Sequence, residues 1–370
     1  MFNTKIKFRF PTHKKVLIYD NASLRILNRL IDIKKTFILS TRFVSTLPEP
    51  EIIYLPLILK VLFENKLKFS KKKYVENIIE LVRPEIAITS IDNDIFFWTL
   101  KNKFPKLQTV FIQNGIRDDY WDIFKILKKT KKKKYAVDKM FVFSDLWAKK
   151  YKEYINGKTI VIGSVMSNEC PIKKNKKIGL VLNSELDNDW LSRTGSLHYP
   201  EIRCAEFLNN YCHKKKIPVT ILLRENSQDV IDFYIKKFTK NKINFEIPKE
   251  PIFYNTDSYR IIDKAKVIVS VNSTLGYEAL SRNCRVAFFA FRGEKVPNNS
   301  FNFAWPGKTL SNGLIWTNVN NEKYFNKILN YLFKVKEQKL KKDLKKLSKY
   351  IFAKDEKNKL FYKHTGLKRN

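Results

Sequence analysis

Short, almost wholly apolar runs recur along this chain, each followed by a polar turn and then by a stretch of helical periodicity. Residues 86–91, 109–113, 219–223 and 267–271 are four of them. A run that is apolar at every position, rather than at every second one, fits a strand covered on both faces. Such strands belong to parallel sheets assembled from βαβ units, and the pattern argues against hairpins.

The rhythm occurs twice. Strands are predicted at 16–19, 36–40, 86–91, 109–113, 140–143 and 159–162, with helices near 50–65, 71–83 and 94–103. Residues 173–177 form a lysine-rich stretch without periodicity. The alternation then restarts, with strands at 178–182, 219–223, 244–247, 267–271, 286–289 and 314–316 and helices near 200–213, 226–238 and 274–282. A chain of 370 residues exceeds what one core usually reaches. The expected fold class is therefore α/β, with two Rossmann-like domains in tandem at 1–170 and 171–320. Residues 321–370 are expected to add basic, amphipathic helices and a tail that frays at its end.

Lys and Arg number 72 against 36 Asp and Glu, a formal charge of +36. Such an excess attracts nucleic acid, anionic lipid or acidic glycan. Here most of it is lysine scattered over both halves, with no recognisable nucleic-acid motif, so a compositional bias is the leading explanation, an anionic membrane or substrate the second, and nucleic acid the last. The first ten residues lack the apolar core of a signal peptide. The most apolar run, 52–63, is interrupted by Pro56 and Lys60 and is shorter than the roughly 20 residues that cross a bilayer. A cytoplasmic protein is expected, with any membrane contact peripheral, on the inner face, through the C-terminal helices. Cys170, Cys204, Cys212 and Cys284 show no C-x-x-C spacing, so neither a zinc site nor a disulfide framework is indicated.

Ligands of open parallel sheets bind beyond the carboxyl ends of the strands, so the polar residues there are the candidates. After the strand at 267–271 comes Asn272-Ser-Thr-Leu-Gly-Tyr-Glu278. Ser273 or Thr274 can cap the next helix, Gly276 can admit a ligand to the backbone, and the unpaired amides of a helix start suit phosphate. Glu278 can receive a ribose diol. An ordinary capped helix with an acidic first turn explains the same residues.

The stretch from Ser270 through Phe289, with its S-T-L-G-Y-E-A-L core, resembles the donor-binding segment of GT-B glycosyltransferases of bacterial surface-carbohydrate and O-antigen biosynthesis. Thr89-Ser-Ile-Asp-Asn93, Phe111-Ile-Gln-Asn-Gly-Ile-Arg117, Val161-Ile-Gly-Ser164, Ala304-Trp-Pro-Gly307 and Gly313-Leu-Ile-Trp316 look like further motifs of that family. The resemblance spans roughly residues 14–320 and implies a GT-B fold with two parallel sheets facing a central cleft. It implies a nucleotide-sugar donor on the C-terminal domain and a glycan or lipid-linked acceptor on the N-terminal one. No metal and no cofactor are implied, the nucleotide sugar being the substrate. By analogy Ser273, Thr274 and Gly276 contact phosphate and Glu278 the ribose.

Asp92, after the strand at 86–91, is the candidate general base on the acceptor side, with helix capping as its rival role. Arg117 can grip a phosphate or carboxylate. Asn93, Asn114 and Asp118 are assigned to the acceptor side, Asp118 with helix capping as its alternative. Arg224, after the strand at 219–223, would neutralise the departing phosphate in the GT-B picture, or form a surface ion pair. Among the four histidines, His198 alone is placed to reach the cleft as a catalytic group. Trp305 to Lys308 would form a lid or wall, with Lys308 adding charge for the donor, or pack locally. Polyol-phosphate transfer and sugar-nucleotide epimerisation share this architecture and stand as alternatives; a basic nucleic-acid-binding protein or a non-catalytic scaffold is the alternative of another class.

Overall fold

The apolar runs pair into two six-stranded parallel sheets in the computed structural model, which describes residues 4–40, 51–130, 135–187, 189–193, 198–248, 256–296 and 298–368. The strands of the first half are β1 (Thr4–Lys7), β2 (Val16–Tyr19), β3 (Thr36–Leu39), β4 (Glu51–Tyr54), β5 (Ile86–Thr89), β6 (Gln108–Ile112), β7 (Tyr135–Val142) and β8 (Ile155–Val161). Those of the second half are β9 (Ile178–Asn183), β10 (Val219–Leu222), β11 (Ile243–Glu246), β12 (Ala265–Ser270), β13 (Val286–Phe289) and β14 (Trp316–Thr317). The first sheet runs β3-β2-β5-β6-β7-β8 and the second β11-β10-β9-β12-β13-β14. Every residue of β5, β10 and β13 is buried, as expected for strands covered on both faces.

β1 and β4 lie outside the expected pattern. They pair with one another in a separate parallel ribbon, and the helix expected near 50–65 starts only at Leu55. Thr4–Lys7 alternates lysine with other residues, and the four residues of β4 read as the beginning of the helix they precede. Near 94–103 the expected helix is a 3-10 turn, Phe97–Thr99, followed by the single α-turn Leu100–Lys103.

Between the sheets the chain is clamped. Arg282 is fully buried, pairs with Asp263 at 2.5 Å, and donates to the carbonyls of Ser167, Cys170 and Pro171 at 3.2, 2.9 and 3.3 Å. One guanidinium thus holds the connection from β8 to β9 against the helix Thr274–Ser281 that carries it. All four cysteines are buried.

The expectation of a frayed tail is corrected. The helix Glu322–Lys334 packs on the second sheet, with Phe325 stacked on Phe289 at 3.9 Å. After the helix Glu337–Lys345 the chain returns to the first half, where Lys354 bridges Gly163 and Phe361 is buried against Phe141. Gly163 has φ 74°, and a β-carbon there would meet the Ala353 carbonyl oxygen at 1.8 Å, so only glycine admits the returning strand. Tyr362 closes the contact by donating to Leu30 O at 3.1 Å. Lysine dominates the composition of the tail, and the apolar residues between the lysines, among them Phe325, Leu329, Leu332, Leu344, Phe352 and Phe361, supply the buried area.

Candidate functional site

In the second sheet the strand order reverses between β9 and β12, the first strand of that half and the fourth. A crevice opens beyond the carboxyl ends at such a point. It is filled here by a cavity of ≈ 540 Å³, walled by Asn183, Glu185, Asn272 and Ser273 from the second half and by Ile116, Asp118, Trp121 and Asp122 from the first.

Ser273 has extended backbone (φ −86°, ψ 155°), and its hydroxyl accepts the Gly276 amide at 3.3 Å, which caps the helix Thr274–Ser281. Asn183, the last residue of β9, donates to the same hydroxyl at 2.6 Å. Thr274 and Leu275 line the cavity, and as first-turn residues their amides have no intrahelical acceptor. The helix start is therefore a donor-rich, electropositive wall. Thr274 Oγ1 accepts the Ile116 amide at 3.1 Å and so joins the two halves beside it.

Gly276 takes another role than the one expected. A β-carbon there would lie 2.6 Å from Ser270 Oγ and 2.9 Å from Phe288 Cε1, so the glycine serves close packing of helix on sheet rather than approach of a ligand. Glu278 is also turned away from the cavity. It is buried, accepts a hydrogen bond from the Ser164 hydroxyl of the first half, and is hydrogen-bonded by Tyr259. Burial pushes its carboxyl up to about 7, against those hydrogen bonds and the Arg282 charge. A residue on the second turn of the helix faces the neighbouring domain, not the mouth of the crevice.

Asp92 does not reach the cavity as a free carboxylate. It is fully buried and accepts from Arg117 Nε at 3.2 Å, from Arg117 Nη2, and from the Tyr151 hydroxyl at 2.6 Å. Arg117 spends its remaining nitrogen on Asp122 at 3.3 Å. Burial disfavours its charge, but Asp92 and Asp122 outweigh that and hold it above its ordinary range. The pair expected to supply a base and an anion grip is a closed ion pair beneath the cavity wall. Both residues follow strands, and the topology places β5 beside β6, so their polar ends meet each other.

Asn93 reaches Asp122 at 3.5 Å, and Asn114 is exposed; neither belongs to the cavity wall. Asp118 does line it, but its Oδ1 accepts the amides of Tyr120, Trp121 and Asp122 at 2.8, 2.8 and 3.2 Å, as a turn cap. Lys308 is exposed, with its carbonyl accepting from Tyr350 at 2.8 Å, and lies outside the cavity wall. Trp305 is no lid over it: the indole donates to Arg117 O at 2.8 Å and the Lys150 ammonium sits 5.4 Å from its ring centroid.

Two expected residues are at the cavity with unsatisfied capacity. Arg224 stands at its rim, its side chain 66% exposed and 3.7 Å from Asp187. His198 is 5% exposed, lines the cavity, and neither of its ring nitrogens has a hydrogen-bond partner among the described residues. Glu201, one turn on, holds an oxygen 3.9 Å from His198 Nδ1.

Behind His198 lies a network absent from the sequence-based candidates. Arg292 pairs with Glu201 at 2.5 Å and with Glu185 at 3.4 Å, and Glu185 accepts the Asn272 amide at 2.8 Å. The chain of contacts runs from the strand end before the capped helix to the histidine. Burial works against an ionised Glu201, but the Arg292 guanidinium holds it below the usual carboxylate range. Glu185 is pushed up, by burial and by the Glu201 charge, against the same arginine. Both Glu185 and Arg292 follow strands at the switch side, so the strand-end rule contains them. Ala290 and Phe291 prolong the apolar run of β13 and hide Arg292 from it.

Among the described residues the cavity wall holds four carboxylates, from Asp118, Asp122, Glu185 and Asp187, against the two guanidiniums of Arg224 and Arg292. The excess positive charge of the chain is thus not focused in this crevice, which is the opposite of a nucleic-acid groove.

Among solved structures, a putative UDP-N-acetylglucosamine 2-epimerase from Listeria monocytogenes shares the fold with a TM-score of 0.52 at 11% identity, over 96% of this chain and 98% of that one. The UDP-GlcNAc 2-epimerase from Neisseria meningitidis, solved with UDP-GlcNAc bound, gives 0.51 at 10% identity over 94% and 98%. At such identities the likeness establishes a shared two-domain, GT-B-like architecture. No curated protein matches the sequence. A family described as "putative O-antigen biosynthesis protein" matches residues 110–369, and with more than half of its length matched, from β6 to the end of the tail, the chain belongs to that O-antigen biosynthesis family.

Proposed function

We infer that the chain is a GT-B glycosyltransferase of surface-polysaccharide synthesis, moving a sugar from a nucleotide-sugar donor to a glycan or lipid-linked acceptor. The observation that carries this reading is the crevice at the β9/β12 switch point, where a capped helix start and a buried histidine, with neither nitrogen hydrogen-bonded among the described residues, share one cavity. The donor diphosphate is assigned to the amides of Thr274 and Leu275, with Arg224 at the rim. As the bond from the anomeric carbon to phosphate oxygen breaks, those donors receive the charge of the leaving nucleotide. His198 takes the proton of the acceptor hydroxyl as the glycosidic bond forms, and the Glu201 carboxylate 3.9 Å away favours the resulting imidazolium. Arg292 positions Glu201. Asp92 and Arg117 hold the first-half wall of the cavity through Asp122.

The test is a titration with UDP-, GDP-, CDP- and CMP-linked sugars, following thermal stability, because a ligand of the folded state alone raises the melting temperature. Stabilisation by one nucleotide class, with nucleotide released only when an acceptor is added, supports the transferase. Conversion of the sugar without any acceptor would instead assign an epimerase, the reading favoured by the full-length likeness to epimerase structures. No stabilisation by any nucleotide sugar would overturn both.

A further inference from the structure

Apolar exposure is concentrated on one edge of the first half. Of the fourteen large apolar side chains exposed among the described residues, seven fall in residues 6–10 and 59–69. Ile6, Phe8 and Phe10 alternate along the segment that begins as β1, Phe8 at 78% exposure. Phe63 (78%), Leu67 (75%) and Phe69 project from the end of the helix Leu55–Glu64 and from the turn leading to the helix Lys71–Val82. The two segments are contiguous through a pair of tyrosines. Phe69 packs on Tyr74 with centroids 6.0 Å apart, the Tyr74 hydroxyl receives the Tyr54 amide at 3.0 Å, and the Lys7 ammonium lies 5.6 Å from the Tyr54 ring centroid.

Lys66 and Leu67 have φ of 52° and 61°, a left-handed conformation in which glycine or asparagine is less strained than leucine. An exposed leucine on a strained turn, among exposed phenylalanines, forms an apolar patch of the kind that marks an interaction site. Cations are interleaved with it: Lys5, Lys7 and Arg9 in one segment, Lys60, Lys66, Lys68 and Lys71 to Lys73 in the other, against Glu64 as the one carboxylate of those stretches. Two copies of such a face repel each other. An anionic surface that also accepts apolar side chains complements it.

We propose that this edge docks the protein on an anionic lipid bilayer, with Phe8, Phe63 and Leu67 entering the boundary between headgroups and acyl chains and the lysines meeting lipid phosphates. The surface differs from the C-terminal helices that composition singles out. Those helices bury Phe325, Leu329, Leu332 and Leu344 in the second half, and Tyr324 is the one large apolar side chain exposed in the described residues beyond 320. No helix among the described residues is long and apolar enough to cross a membrane, so the contact is interfacial. The proposal holds whichever sugar chemistry the cavity performs.

The experiment is co-sedimentation of the full chain with vesicles of phosphatidylcholine alone or mixed with phosphatidylglycerol. The expected result is partitioning onto the anionic vesicles, weakened by salt, and lowered roughly tenfold or more by Phe63→Ser with Leu67→Ser. The melting temperature of that variant stays at the wild-type value, since both side chains are exposed in the free protein. Lys341→Gln with Lys345→Gln on the C-terminal helix leaves partitioning near the wild-type value, where two lysines in contact with the lipid would each carry roughly fivefold. Partitioning unchanged by the serine pair, or equal on neutral and anionic vesicles, would overturn the proposal. So would a concentration-dependent dimer that the serine pair abolishes while vesicle binding is absent.

Discussion

Thr274 Oγ1 accepts the Ile116 amide at 3.1 Å, so a single hydroxyl in the first turn of the capped helix holds the loop that follows β6 in the other half. The contact sits on the cavity wall, where both residues lie. Valine matches threonine in shape and removes the acceptor. Thr274→Val is expected to lower stability by about 1 kcal/mol, the usual weight of such a bond, while Thr274→Ser stays near wild type. Urea denaturation of the two variants measures it, and equal stabilities would show that the hydroxyl carries no tie between the halves.

For Asp92 the distinction lies between a base and a buried counterion. Its carboxylate neutralises Arg117 and accepts from Tyr151, so Asp92→Ala leaves a buried guanidinium with Asp122 alone. Breaking one side of such a pair costs about 3–5 kcal/mol, whereas replacing both partners, as in Asp92→Leu with Arg117→Met, recovers most of it. If Asp92→Ala abolished turnover and left denaturation unchanged, the aspartate would regain the role of base.

Gly276 offers a packing test within the donor motif itself. Alanine would bring a β-carbon to 2.6 Å from Ser270 Oγ and 2.9 Å from Phe288 Cε1, on the side away from the cavity. Overpacking of this kind costs about 1–3 kcal/mol. Gly276→Ala should therefore lose stability while any nucleotide that stabilises the wild type still produces its thermal shift. A fully stable variant that has lost only the shift would place the glycine at the ligand after all.

How much of this was legible in the sequence depends on which interactions decide. The two sheets were, because uninterrupted apolar runs such as 86–89 and 286–289 leave no other arrangement with both faces covered. The positions of Ser273 and His198 on the cavity wall were, since they follow strands or open helices at the switch point. The pairing of Asp92 with Arg117 was not: it depends on β5 and β6 being neighbours, and strand order is a tertiary fact. Glu278 was misread because its neighbour Ser164 lies 114 residues away, in the other half. The ribbon of β1 and β4 was not legible: the alternation in Thr4–Lys7 is only four residues long, and the four residues of β4 run directly into a helix.

Glu278 makes the chain's stability depend on pH in a predictable direction. Its folded carboxyl sits at about 7, above the ordinary 4.5, so the folded state binds a proton that the unfolded state has released. The stabilisation is complete below the unfolded value and is lost as pH rises toward the folded one, a change on the order of 3 kcal/mol across the window. Glu278→Gln keeps a neutral group in place and should flatten that slope, gaining on wild type as pH rises from about 4.5 to about 7. Melting curves over that range decide it. Parallel curves for the two proteins would mean that the folded chain carries an ionised Glu278.

His198 supplies the sharpest test of the chemistry. Among the described residues neither ring nitrogen has a hydrogen-bond partner, and the Glu201 carboxylate stands 3.9 Å from Nδ1, so His198→Asn should cost less stability than a change at Glu201. If the imidazole transfers the acceptor proton, kcat falls by about 10²–10⁴-fold while the donor nucleotide still raises the melting temperature as in wild type. Glu201→Gln should act differently, because it removes the partner of the buried Arg292 as well as the carboxylate beside the imidazole. That variant is expected to lose stability and activity together. A His198→Asn protein that turns over at the wild-type rate would move proton transfer elsewhere on the cavity wall, and Asp118 and Asp122, which the first half presents there, would be the next to substitute.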